Sequence, residues 1–158
     1  MTRTHDKCED IQATVLSSIH EVDPEDWDIC AGNDNPFISH AFLSSLEDSN
    51  STGIAVGWMP KHIVIEDSDG CILGATPLYL KNHSYGEYVF DWGWAEAYER
   101  AGGQYYPKLQ CSVPFTPVTG PRLLVSSRVP KIEGIRLRHS LAATMVKLAQ
   151  KLDVSSVH

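Results

Sequence analysis

"KHIVIEDSDGCILGATPLYLK" (residues 61–81) reads as one β-hairpin. Ser68, Asp69 and Gly70 supply the turn between two runs rich in Ile, Val and Leu. In the first run Ile63 and Ile65 alternate with His62 and Val64. The second run is apolar on both faces until Tyr79. A strand that is apolar on both faces needs cover on both, so the hairpin predicts a sheet held between helices.

Cover is available on either side of the hairpin. Upstream, "ATVLSSIHEV" (13–22) reads as a first strand and "DPEDWDIC" (23–30) as a short helix. Asp23 is suited to cap that helix, Pro24 to its first position, and Glu25 and Asp26 to the positive end of its dipole. "SHAFLSSLEDS" (39–49) is a second helix, with Ser39 as cap and Phe42, Leu43 and Leu46 as its apolar stripe. Downstream, "WAEAYERAGG" (94–103) is a short helix, "YPKLQCSVPF" (106–115) a strand bounded by prolines, and "TPVTGPRLLV" (116–125) a loop leading to a short strand. "EGIRLRHSLAATMVKLAQKL" (133–152) is the strongest helix, with Leu137, Leu141, Met145, Leu148 and Leu152 at helical spacing. "DVSSVH" (153–158) opens another strand. This order is mixed α/β with a helix crossover into the final strand. Residues 1–12 read as a disordered tail. Residues 13–158 read as one domain that is expected to be truncated within its last element.

Composition narrows the function classes. A chain of 158 residues can bury roughly 68–70% of its unfolded surface, enough for a core without metal or disulfides. A net charge of −7 argues against a nucleic-acid backbone or an anionic lipid as partner. Cys8, Cys30, Cys71 and Cys111 match no zinc or redox spacing, which fits free thiols in a reducing compartment. His5, His20, His40, His62, His139 and His158 share no ligand spacing, so no metal site is expected. No signal-peptide pattern, spanning-length apolar run, nucleophile elbow or phosphate-binding glycine fingerprint is present. Cytoplasm is the expected address, and a plastid protein shorn of its transit peptide would read the same.

Two long stretches carry a family resemblance: "PLYLKNHSYGEYVFDWGWAEAYERAGGQYYPKLQ" (77–110) and "VPFTPVTGPRLL" (113–124), supported by "NPFISHAFLSSLED" (35–48). With these the chain resembles the FemAB-like family, described as peptidoglycan biosynthesis/recognition proteins, over residues 13–158. The resemblance implies a fold like that of the acyl-CoA N-acyltransferases (GNAT-like), a mixed sheet with helices on both faces. It also implies that this chain is an incomplete first half of a tandem protein. The activity implied is transfer of an acyl or aminoacyl group to an amine acceptor. Acyl-CoA or aminoacyl-tRNA would be the donor of a longer parent, with none bound by this chain. The implied partners are a small-molecule or peptide acceptor and a second half, or another chain, that completes the sheet. A non-catalytic peptide- or muropeptide-recognition module and an inactive fragment are the competing readings.

The candidate residues lie in the aromatic stretch 83–120. In "HSYGEY", an extended backbone would put His83, Tyr85 and Glu87 on one face. His83 or Glu87 is the candidate base for an amine nucleophile, and Tyr88 lies beside them. In "FDWGWAEAY", Asp91 and Trp92 are suited to a sugar or a cationic amine, while Trp94 and Tyr98 at i, i+4 are equally suited to pinning a helix to the core. In "YYPK", Tyr105, Tyr106 and Lys108 are candidate substrate contacts, Lys108 for a phosphate or carboxylate. Thr119 and Arg122 sit in a rigid Pro/Gly loop suited to an anion or a peptide. The simplest reading of most of these rings is packing of a loop-rich segment against the sheet.

Overall fold

The structure is a computed structural model that describes residues 11–87 and 90–158. Its strands are β1 (Gln12–Leu16), β2 (Trp58–Pro60), β3 (His62–Glu66), β4 (Ile72–Thr76), β5 (Tyr79–Lys81), β6 (Lys108–Gln110) and β7 (Leu124–Val125). Its α-helices are α1 (Pro24–Ala31), α2 (His40–Asp48), α3 (Trp92–Arg100) and α4 (Lys131–Leu152). The strands form two sheets, ordered β1-β3-β4-β7 and β2-β5-β6, with every pairing antiparallel. The expected mixed α/β class holds, but the one sheet expected from the hairpin is two.

The hairpin explains the division. Ile63 faces Thr76 in the larger sheet and Pro60 faces Tyr79 in the smaller, so one register runs through both. Pro77 lacks a backbone N–H and interrupts the ladder between them. The gap is closed by Lys61 N–H donating to the Leu78 carbonyl (2.8 Å) and by Leu78 N–H donating to His62 Nδ1 (3.2 Å). The run read as one strand over 71–81 is thus β4 and β5 on either side of a proline.

Both faces of the larger sheet are covered, as its apolar pattern requires. Val64, Ile72, Ala75 and Leu124 pack with Trp27 and Cys30 of α1 and Leu43 of α2. Ile63, Ile65, Leu78 and Leu109 pack with Leu137, Leu141, Met145 and Ala149 of α4. The caps fall where expected: Asp23 accepts from Glu25 N–H (2.8 Å), and Ser39 accepts from Phe42 N–H (3.2 Å). The first strand ends at Leu16 and already includes Gln12, one residue inside the expected tail. The strand expected over 106–115 shrinks to β6. Residues 155–158 lie beside β6 in parallel, with Leu109 N–H donating to the Ser156 carbonyl (2.9 Å) and His158 N–H to the Leu109 carbonyl (2.9 Å). The crossover through α4 therefore delivers the chain to the smaller sheet. Residues 1–10, on which the expected tail mostly falls, and Tyr88 lie outside the described residues. Among the described residues no helix is long and apolar enough to cross a membrane.

Candidate functional site

The three rows of the smaller sheet sort its residues by face. Trp58, Lys81 and Lys108 stand in one row and Pro60, Tyr79 and Gln110 in another, both on one face. Leu80 and Leu109, in the row between, point the other way into the core beneath α4. One face is therefore core, and the other carries two lysines placed directly opposite each other. Like charges across an antiparallel pair repel, and both lysines are fully buried, Lys81 at 0% and Lys108 at 1% exposure. Such a pair needs local compensation.

Carboxylates supply it. The Lys108 ammonium donates to Asp91 Oδ2 in a very short contact and to Glu87 Oε2 at 3.3 Å. Asp91 also accepts from Tyr105 Oη (2.8 Å) and Tyr106 Oη (2.5 Å). Burial alone would raise the Asp91 carboxyl, but the hydrogen bonds from Lys108, Ser84, Tyr106 and Tyr105 outweigh it and hold the group well below the usual carboxylate range. Both phenols move the other way. Burial and the Asp91 carboxylate push Tyr105 up to about 12 and Tyr106 higher still. Asp91 is thus a fixed anion with its lone pairs in use.

Glu87 is the freer acid. Burial raises its carboxyl above the ordinary range, the Lys108 charge opposes that rise, and the Asp91 charge adds to it. A turn aims the side chain. Glu87 N–H donates to the Ser84 carbonyl (3.3 Å), and Gly86 sits at φ +80°. A Cβ at Gly86 would overlap the Trp58 indole and the Phe115 ring, so only glycine fits. The Tyr85 carbonyl accepts from Trp58 Nε1 (3.0 Å) and Lys81 Nζ (2.5 Å). Lys81 lies 3.8 Å from the centre of the Trp58 ring. Burial and the Lys108 charge lower Lys81 to about 8 against the opposing pull of Glu87 and Asp91.

Glu87, Asp91, Trp94, Tyr105, Lys108, Gln110 and His158 line an open cavity of about 360 Å³. The site residues expected from sequence divide around it. Glu87, Asp91, Tyr105 and Lys108 are on its wall, and Tyr106 is tied to it through Asp91. His83 does not share a face with Glu87, because the backbone turns after β5. Its ring packs over the Gly57 turn instead, and burial together with the nearby Lys81 charge lowers its imidazole. Thr119 and Arg122 do not line the cavity. The Thr119 carbonyl accepts from Asn35 (3.2 Å), and the Arg122 guanidinium donates to the carbonyls of Val118 (2.7 Å) and Pro121 (3.1 Å). Lys108, offered for a substrate anion, is already occupied by Glu87 and Asp91.

The packing reading of the aromatic stretch is corrected. Among the described residues of 83–120 no aromatic ring is buried, and α3 buries nothing. Trp94 is 76% exposed and Tyr98 47%, so neither pins the helix to the core. Tyr85, Phe90 and Trp92 form a ladder of exposed rings, with centroids 5.9 Å apart from Tyr85 to Trp92 and 5.1 Å from Phe90 to Trp92. The fully buried large rings, Trp27, Trp58 and Tyr79, lie outside the stretch.

Sequence reasoning passed over Lys81, Gln110 and His158. Lys81 closes an otherwise apolar strand, and a buried strand ending on a cation is a usable signal. Gln110 follows Lys108 at the two-residue spacing of one sheet face. His158 reaches the cavity only because residues 155–158 join β6, and no local pattern marks it.

A two-sheet α/β protein with a charged, ring-flanked cavity on its smaller sheet is the class that fold and site define. Residues 18–158 match the model of the FemAB-like family, described as peptidoglycan biosynthesis/recognition, and the chain belongs to that family. No curated protein and no solved structure matches it.

Proposed function

We propose that this chain binds the amine acceptor of an acyl- or aminoacyl-transferase reaction in the cavity beside Lys108, with Glu87 as the base. The observation that carries the reading is Glu87 itself. It is a carboxyl raised by burial, held by Lys108 through one oxygen, on the wall of a cavity flanked by exposed rings. An acceptor amine is an ammonium ion in neutral water and must lose a proton before it can attack. Glu87 takes that proton. The nitrogen lone pair then attacks the acyl carbon of an acyl-CoA or aminoacyl-tRNA donor. A C–N bond forms, and the thioester C–S or ester C–O bond breaks. One proton passes from Glu87 to the leaving thiol or hydroxyl, and the nitrogen's second proton leaves to water. Asp91, fixed by Lys108, Tyr105 and Tyr106, adds negative potential that favours a cation in the cavity.

Transfer of a labelled acyl group to a primary amine is the test. Glu87→Gln is expected to lower turnover by about 10²–10⁴-fold with no loss of thermal stability, and unchanged turnover would overturn the assignment. A recognition module without chemistry is favoured by a separate observation, the exposed ladder of Tyr85, Trp92 and Phe90. Muropeptide binding that survives Glu87→Gln but not Trp92→Ala would select that reading instead.

A further inference from the structure

Among the described residues, two oxygens of the cavity wall have no donor. Glu87 Oε1 and Gln110 Oε1 are both buried, and neither accepts a hydrogen bond. A buried acceptor left unpaired costs about 1–3 kcal/mol, and native proteins leave few of them. Glu87 spends its other oxygen on Lys108. Gln110 lies two residues beyond Lys108 on β6 and so shares its face of the sheet.

The chemistry of the missing partner follows from these atoms. Both are acceptors, so a single partner that bridges them must bring at least two hydrogens. A carboxylate or phosphate brings none and would meet Glu87 and Asp91 as a like charge. A hydroxyl brings one. A quaternary ammonium brings charge but no hydrogen. A primary ammonium brings three hydrogens in a tetrahedral spread, together with the charge that Glu87 attracts.

We propose that Glu87 and Gln110 form a two-point clamp for a primary ammonium group, with Gln110 the residue that selects nitrogen bearing hydrogens. The proposal rests on the acceptor reading above and specifies the group the cavity takes.

Chemical-shift titration of the full chain with n-pentylamine, N,N,N-trimethylpentylammonium and 1-pentanol tests it. Pentylamine is expected to bind about tenfold more tightly than either of the others. Gln110→Leu is expected to weaken pentylamine binding about tenfold and leave the trimethyl compound unaffected. Its urea midpoint should not fall, because the residue removed is an unpartnered acceptor. Gln110→Met, nearly the same shape, gives the same readout should the leucine variant not fold. Equal binding of pentylamine and the trimethyl compound overturns the clamp but leaves the acceptor reading standing on a simple cation site. Undiminished pentylamine binding by Gln110→Leu or Gln110→Met overturns the role of Gln110. Failure of all three probes to bind overturns both the clamp and the acceptor reading.

Discussion

The two ends of the long hairpin share one register yet have opposite interiors. Near its tip, β3 and β4 lie between α1–α2 and α4, and both faces are apolar. Beyond Pro77, α4 still covers one face of β5 and β6, through Leu80 and Leu109. On the other face Lys81 and Lys108 take the places that Ala75 and Leu124 hold nearer the tip. What covers them is the Tyr85 carbonyl and the carboxylates of Glu87 and Asp91. Apolar cover can be supplied by any helix with a suitable stripe, whereas two buried ammonium groups need oxygens at fixed points. The tip end is therefore specified by pattern and the far end by individual contacts.

Substitutions can break that contrast at either end. Lys108→Met should have the largest effect, since it strands Asp91 and Glu87 in a buried site. A loss of about 3–5 kcal/mol is expected by urea denaturation, and adding Asp91→Asn should recover part of it. Leu141→Ala, at the fully buried α4 face, should cost about 2–5 kcal/mol through its cavity. Unlike the lysine variant, it should leave amine binding in the surviving folded protein unchanged.

Titration sharpens the comparison. Lys81 is lowered to about 8 from 10.5, so between these values the unfolded chain holds a proton that the folded chain has released. Stability should rise with pH across that window, and Lys81→Met should lack the rise when urea midpoints are compared. Glu87 has the opposite sign. Its folded value lies above the ordinary one, so its contribution is present at acid pH and lost as pH rises through the folded value. Glu87→Gln should therefore gain stability relative to the parent over that rise. Trp94→Ala should have the smallest effect on folding, within about 0.5 kcal/mol, because the ring is largely exposed. Weaker binding of pentylamine by that variant would show that the ring serves the cavity.

The same contrast governs what could be read from residue order. The caps at Asp23 and Ser39, the α4 stripe and the doubly apolar strand are repeats or local signals, and each predicts its own element. Pro77 is a local signal too, but the apolar run around it hides the break, so that two strands read as one. The site was harder. Glu87, Asp91 and Lys108 could each be named, but their meeting depends on the left-handed turn at Gly86 and the β5–β6 pairing, which join residues 17 and 21 positions apart. An extended backbone would have kept His83 with Glu87, and that same turn separates them. Gln110 and His158 complete the wall through long-range pairing, for which no spacing rule exists.

The shared register also limits how such a domain can diverge. Because Pro60 and Ile63 read the same alignment against Tyr79 and Thr76, slipping one strand by a residue would turn core side chains and site side chains over together. An inherited insertion within either strand would damage both ends at once. New ligand preferences on this frame are expected to arise by exchange of side chains at Lys81, Lys108 and Gln110, or by changes of length between β5 and α3.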